Sequence, residues 1–277
     1  MIDRFSEDID LTIDKSILDR IKDPNEEGIS GKEQARRIDI LIKTVESYIS
    51  GRLLSLLDNT IRKALKNEFN WKLAIDDNQT ILFYYPLLLS GLSVESYVKP
   101  VIRLEFGARG GIIPKENKII HPYITKTIPS AFDQSGCLIP TLLAERTFWE
   151  KIAILHSLYN RHKHGKRFGH RMSRHYYDIY MMDKKGITPS ALVQKELLHE
   201  IIKNNMTYFK DASSSYDTAR LGQLNLKPSN DMLSELRQDY KGMEIMITKD
   251  YPAFENIISS IEQLENQLNA TYKTDSK

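Results

Sequence analysis

Arg4-Phe5-Ser6-Glu7-Asp8-Ile9-Asp10-Leu11-Thr12-Ile13 is the stretch whose reading decides the fold. Phe5, Ile9, Leu11 and Ile13 are apolar, while Ser6, Asp8, Asp10 and Thr12 between them are polar. That is the two-residue period of a half-buried strand, so Asp8 and Asp10 fall on one face. Carboxylates two apart on a strand have Cα atoms roughly 6.5–7 Å apart and point the same way, so both can reach one hard cation. Magnesium is usually held by one or two carboxylates plus substrate phosphates, which matches a nucleoside triphosphate better than an all-protein cage. A polar strand face turned to water has the same pattern, and Asp-x-Asp alone does not choose between the two.

Outward from this strand, Gly28 and Gly31 mark a loop, and Ile38, Leu41, Ile42, Val45 and Ile49 follow helical spacing. A second helical set runs from Leu53 to Leu65, with Gly51 placed to separate or bend the two. Trp71 to Ile75 and Ile81 to Tyr85 read as strands joined by the turn Asp76-Asp77-Asn78-Gln79. Val101 to Phe106 alternates again and carries Glu105, a carboxylate on a strand. Ile119 to Ile128 reads as a further extended segment, made an edge candidate by Pro122. After Pro140 the pattern turns helical, with Phe148, Ile152, Leu155 and Tyr159 on one stripe. Ser173 is placed to cap a helix ending near Gly186, Thr188-Pro189 opens another, and two more cover about 231–247 and 252–268. The order predicts a mixed-sheet α/β domain over residues 1–138 and an all-helical bundle over 139–277.

Charge excludes one class of partner contact and permits another. Lys and Arg total 39 against 37 Asp and Glu, a formal charge of +2, so no global field recruits a polynucleotide and any such contact is local. Cys137 is the sole cysteine, which excludes an internal disulfide and a cysteine zinc cluster and points to a reducing compartment. The most apolar run, Ile81 to Leu89, is too short for a bilayer and is broken by Pro86. A cytoplasmic protein with no membrane partner is expected.

The octapeptide Arg4–Leu11 resembles the Asp-x-Asp signature of the AbiEii-type nucleotidyltransferases, bacterial toxins of type IV toxin–antitoxin and abortive-infection systems. Further blocks carry the resemblance: Arg103-Leu104-Glu105-Phe106 with Ala108-Arg109-Gly110, Arg146-Thr147-Phe148-Trp149-Glu150-Lys151 with Leu155-His156, and Ser173-Arg174-His175-Tyr176-Tyr177-Asp178. Asp239-Tyr240, Met243, Met246-Ile247 and Leu264-Glu265 resemble its C-terminal helices. The likeness implies a nucleotidyltransferase-like domain followed by the bundle, with the active site in the cleft between them. It implies that Asp8 and Asp10 hold Mg2+ (or Mn2+), and that Glu105 activates the acceptor hydroxyl. Lys151 would neutralise the triphosphate and Asp178 orient Lys151 or an acceptor group. Ser6 and Arg174 are expected to join Lys151 in nucleotide binding. The implied substrates are an NTP and an RNA, such as a tRNA 3′ end, or a protein hydroxyl, and the implied partner is a cognate antitoxin.

The family places a Gly-Gly-Thr or Gly-Ser turn shortly upstream of the Asp-x-Asp strand, where backbone amides grip the triphosphate. Met1 of this sequence falls after that point, so the expectation divides between a start codon assigned too late and a truncated relative with weak or absent turnover that binds nucleotide or a partner protein. Plainer uses compete at each position. Glu105 can pair with Arg103 or Arg109, Lys151 with Glu150 or Glu145 on a solvated face, and Asp178 with Arg174 one turn earlier. Arg161-His162-Lys163-His164-Gly165-Lys166-Arg167 with His170, Arg171 and Arg174 is a basic stretch that suits an RNA backbone, the triphosphate or a solvated loop equally.

Overall fold

In the computed structural model, which describes residues 2–6, 8–19, 21–65, 70–86, 101–131, 136–167 and 169–275, the alternating opening stretch forms β1, Asp8–Thr12. Ser30 then starts α1, Gly31–Tyr48, its hydroxyl accepting the Glu33 N–H at 3.2 Å. Residues Ile49–Leu53 make a π-helical turn around Gly51, and α2 continues over Leu54–Leu65. Gly51 thus marks a widened turn inside a nearly continuous helix. β2 (Lys72–Ile75) and β3 (Thr80–Tyr84) form the expected hairpin, its turn fastened by the Asp77 carboxylate accepting the Gln79 N–H at 2.8 Å. β4, Val101–Gly107, completes a four-stranded sheet of order β1-β4-β3-β2 among the described residues. Leu87–Leu89, the end of the apolar run, lie outside those residues.

β1 and β4 are parallel, with Asp8 opposite Arg103 and Asp10 opposite Glu105, whereas β4 and β3 are antiparallel, with Glu105 opposite Thr80. Side chains opposite one another share a face, so Asp10, Glu105 and Thr80 form one row across three strands. Ile9, Leu104, Ile81 and Ile75 form the adjacent row on the other face. Ile81 is fully buried against Leu41, Val45 and Ile49, with Leu73, Leu104 and Phe106 packed around them. Each such side chain contributes about 1.5–3 kcal/mol by leaving water. Helical and strand periods therefore agree on one core, and the carboxylates are left on the face opposite to it.

The remainder begins with a hairpin of β5 (Lys115–Ile120) and β6 (Cys137–Leu142). The extended segment expected to reach residue 128 stops at Ile120, because Pro122 leads into a 3-10 turn over Tyr123–Lys126. β6 departs from the expected change to helix. It contains Pro140, which a two-stranded hairpin accepts because an edge strand has N–H positions with no ladder partner to lose. The helices follow as α3 (Ala144–Lys163), α4 (Ser173–Lys184), α5 (Ile187–Val193), α6 (Glu196–Tyr208), α7 (Asn230–Gly242) and α8 (Phe254–Asp275). The helix opened by Thr188-Pro189 is two helices, and that expected over 231–247 ends at Gly242, with a 3-10 turn at Glu244–Met246.

α3 is the middle of the helical core, with Phe148, Trp149, Ile152, Ala153 and Leu155 fully buried. Phe148 meets Trp149 edge to face, centroids 5.1 Å apart, and the Trp149 Nε1–H donates to the Ala191 carbonyl at 3.0 Å. Buried His156 on the same helix accepts the Asn225 N–H at Nδ1 (3.1 Å). Its Nε2 therefore carries the proton and faces the Ser215 carbonyl at 3.1 Å, and burial depresses its pKa. The chain divides into two compact units, one comprising Arg4–Gly111 with Thr207–Phe209, the other Met1–Asp3, Ile112–Met206 and Lys210–Lys277. Among the described residues no helix is long and apolar enough to cross a membrane.

Candidate active site

In the sheet unit, a cavity of about 590 Å³ lies at the carboxyl ends of the parallel strands β1 and β4. Parallel strands open their carboxyl ends to ligands in many α/β sheets. Asp10 and Thr12 from β1, Thr80 from β3, Glu105 and Gly107 from β4, and Glu46 from α1 line it. The register sets the Asp10 and Glu105 Cα atoms directly across from each other, about 4.8 Å apart. Asp8 shares their face but is not part of the cavity lining; its carboxylate accepts the Ser6 hydroxyl. The Arg103 guanidinium bridges Asp76 at 2.9 Å and Glu105 at 3.2 Å, so the plainer pairing of Glu105 with Arg103 is present. The bond to Asp76 first, and that to Glu105 after it, raise the proton affinity of Arg103 against the opposing effect of burial.

Asp10 and Glu105 suit a hard cation that completes its shell with water and phosphate oxygens, the usual magnesium arrangement. They do not suit an all-protein cage: among the described residues no group of three or more His, Cys, Asp or Glu is placed to hold a metal ion. The Arg103 bond uses one lone-pair direction of Glu105, and a carboxylate has about four.

The helical unit supplies the second cluster. Lys151 on α3 reaches Asp178 on α4, Nζ to Oδ2 2.6 Å, with the Asp178 side chain fully buried and that of Lys151 15% exposed. Neighbouring Glu150 pairs with Arg146 at 3.0 Å, and the low exposure of Lys151 takes it off a solvated ion-pair face. Arg174 sits one turn before Asp178 on α4 and is half-buried. The start of α4 is fixed from α7, where the Asp239 carboxylate accepts the Arg171 N–H (2.6 Å), the Ser173 N–H (2.8 Å) and the Ser173 hydroxyl (2.5 Å). Met172, not Ser173, is the N-cap residue; its side chain makes no cap hydrogen bond, and Asp239 holds the start of α4 through the amides on either side of Met172.

The basic stretch turns out to end α3. Arg161, His162 and Lys163 occupy its last turn, where cations oppose the negative end of the helix dipole, and Gly165 follows at φ +73°. Arg161 pairs with Asp211 at 3.2 Å and His162 with Asp231 at 2.5 Å. Lys163, Lys166, Arg167 and His170 remain exposed, and Phe168 lies outside the described residues.

Two residues at the cavity are not among the expected site residues. Arg109, in the loop after β4, stacks its guanidinium over the Phe209 ring, 4.9 Å from the centroid. Arg109 stands in one of the family-like blocks, where the sequence offers it only as a plainer partner for Glu105. Phe209 gave no signal, since a hundred residues separate the two and only the packing of Thr207–Phe209 with the sheet unit joins them.

The sequence model of the family described as "Nucleotidyl transferase AbiEii toxin, Type IV TA system" matches residues 1–260. No curated protein and no solved structure matches the chain. The family match spans both the Asp10–Glu105 pair and the Lys151–Asp178 pair, and nearly all of the sequence around them. The chain belongs to the AbiEii nucleotidyl transferase toxin family of type IV toxin–antitoxin systems.

Proposed function

We propose that the protein transfers a nucleotide from an NTP to a hydroxyl of RNA, with a tRNA 3′ end as the first acceptor to try and a protein hydroxyl as the second. The observation that carries this reading is the facing of Asp10 and Glu105 at the mouth of the parallel strands, beside a cavity of a nucleotide's dimensions. Asp10 and Glu105 would hold the cation, with Asp8 adding its charge from the same strand face, and the cation when bound would screen the phosphates and draw charge from the reacting phosphorus. The acceptor oxygen forms a bond to the α-phosphorus while the bond from that phosphorus to the bridging oxygen breaks and pyrophosphate leaves. Glu105 takes the acceptor proton through an oxygen not used by Arg103. Lys151, its Nζ fixed by Asp178, and Arg174 are the helical unit's candidates for meeting phosphate charge, as Ser6 is the sheet unit's. A cognate antitoxin is the expected protein partner.

One observation favours a second reading, binding without turnover: Glu105 is already engaged by Arg103. Incubation with Mg2+, each α-labelled NTP and total tRNA separates the two. Transfer by wild type that vanishes in Asp10→Ala and Lys151→Ala supports the enzyme. Binding of NTP with no transfer to tRNA or protein, whichever nucleotide is offered, supports the binder.

A further inference from the structure

We infer that Arg109, held flat against Phe209, is the phosphate-gripping cation of the sheet unit; the inference rests on the nucleotidyl-transfer reading above. The described cavity lining is acidic, with Asp10, Glu46, Asp77 and Glu105 as its carboxylates and Arg109 as its only Lys or Arg side chain. A triphosphate entering that space meets four like charges. A cation between Asp10 and Glu105 offsets those two, but Glu46 and Asp77 remain, and a fixed positive group is needed on the substrate side. Arginine suits this because its planar fork matches two phosphate oxygens at once, and because it stacks on aromatic rings. Phe209 is 44% exposed, an apolar ring left at the edge of a polar cavity, and its contact with Arg109 gives it a use there. Stacking limits the rotamers of a long side chain before substrate arrives, so less freedom is lost on binding. Thr207–Phe209 pack with the sheet unit although their chain neighbours on both sides belong to the helical one, which places the ring where Arg109 needs it.

The test is calorimetric titration of the full chain, in Mg2+, with α,β-methylene analogues of the four NTPs and with the corresponding nucleosides. Arg109→Gln is expected to weaken analogue binding by about tenfold to a hundredfold, the loss of one charge-assisted contact, and to leave nucleoside binding unchanged. Arg109→Lys should recover part of the loss by restoring charge without the fork. Phe209→Leu should weaken analogue binding by a few-fold with Arg109 intact, and raise KM more than it lowers kcat; it serves as the second variant should Arg109→Gln melt early. Binding of the analogues by Arg109→Gln and Phe209→Leu as tightly as by wild type would overturn this inference alone. Failure of wild type to bind any analogue would overturn it together with the function proposed above.

Discussion

Lys151→Met leaves the Asp178 carboxylate at 0% side-chain exposure with its ammonium partner removed. At 2.6 Å and an effective dielectric near 20, the gross attraction of the pair is about 6 kcal/mol. Most of that offsets the desolvation of two charges, so the pair's net worth is far smaller. Breaking it from one side is different, because the carboxylate stays buried, and such changes cost about 3–5 kcal/mol. For a unit of this size the melting temperature should fall by about 6–20 °C. Lys151→Met/Asp178→Leu removes the buried carboxylate together with its cation and should regain most of the loss, giving a coupling of about 2–4 kcal/mol in the double-mutant cycle. Urea unfolding of the four proteins, followed by tryptophan fluorescence from Trp149, measures it. A single mutant within about 0.5 kcal/mol of wild type would refute the reasoning, as would a double mutant no better than the sum of the singles. All three variants should be inactive in label transfer, so stability and activity part company only in the double mutant.

His156 should make the protein lose stability in mild acid. Its pKa is depressed in the fold, mainly by burial, so below the unfolded value of about 6.5 the unfolded chain binds the proton that the native site excludes. Its contribution is complete above that pH and is lost as the pH falls through it toward the native pKa, at up to about 1.4 kcal/mol per pH unit. His156→Gln should flatten that part of the stability curve between pH 7 and 5, and an unchanged curve would contradict the assignment. Asp239→Ala removes three acceptor contacts at the start of α4 and should cost about 2–4 kcal/mol, with Asp239→Asn closer to wild type because its amide oxygen still accepts. Equal urea midpoints for the Ala variant and wild type would show that α4 does not depend on this carboxylate.

What the sequence disclosed, and what it hid, follows from the range of the interactions involved. The periods of 2 and 3.6 residues are local, and they located β1, the β2–β3 hairpin, β4, α1 and the shared face of Asp8 and Asp10 directly from residue spacing. Gly51 was legible as a break and proved to be a π turn, since a missing side chain signals the place and not the geometry. β6 was hidden because Pro140 argues against a strand, and only pairing with β5 admits it. Ser173 has the composition of a cap, yet Asp239, distant in sequence, takes the capping role through the tertiary fold. The facing of Asp10 with Glu105, the Lys151–Asp178 bond and the meeting of Arg109 with Phe209 each join residues far apart in the chain. The first two were expected only through likeness to a family, and the third through nothing in the sequence.

The central claim is that the carboxylates facing each other across β1 and β4 hold a divalent ion together with nucleotide. Electron paramagnetic resonance of Mn2+ titrated into the protein, with and without a non-hydrolysable NTP analogue, reads this directly as loss of the free-ion signal. The account predicts uptake by wild type that strengthens when the analogue is present, and that weakens by about tenfold or more in Asp10→Asn and in Glu105→Gln. Undiminished Mn2+ uptake in both variants, or uptake indifferent to the nucleotide, would contradict it.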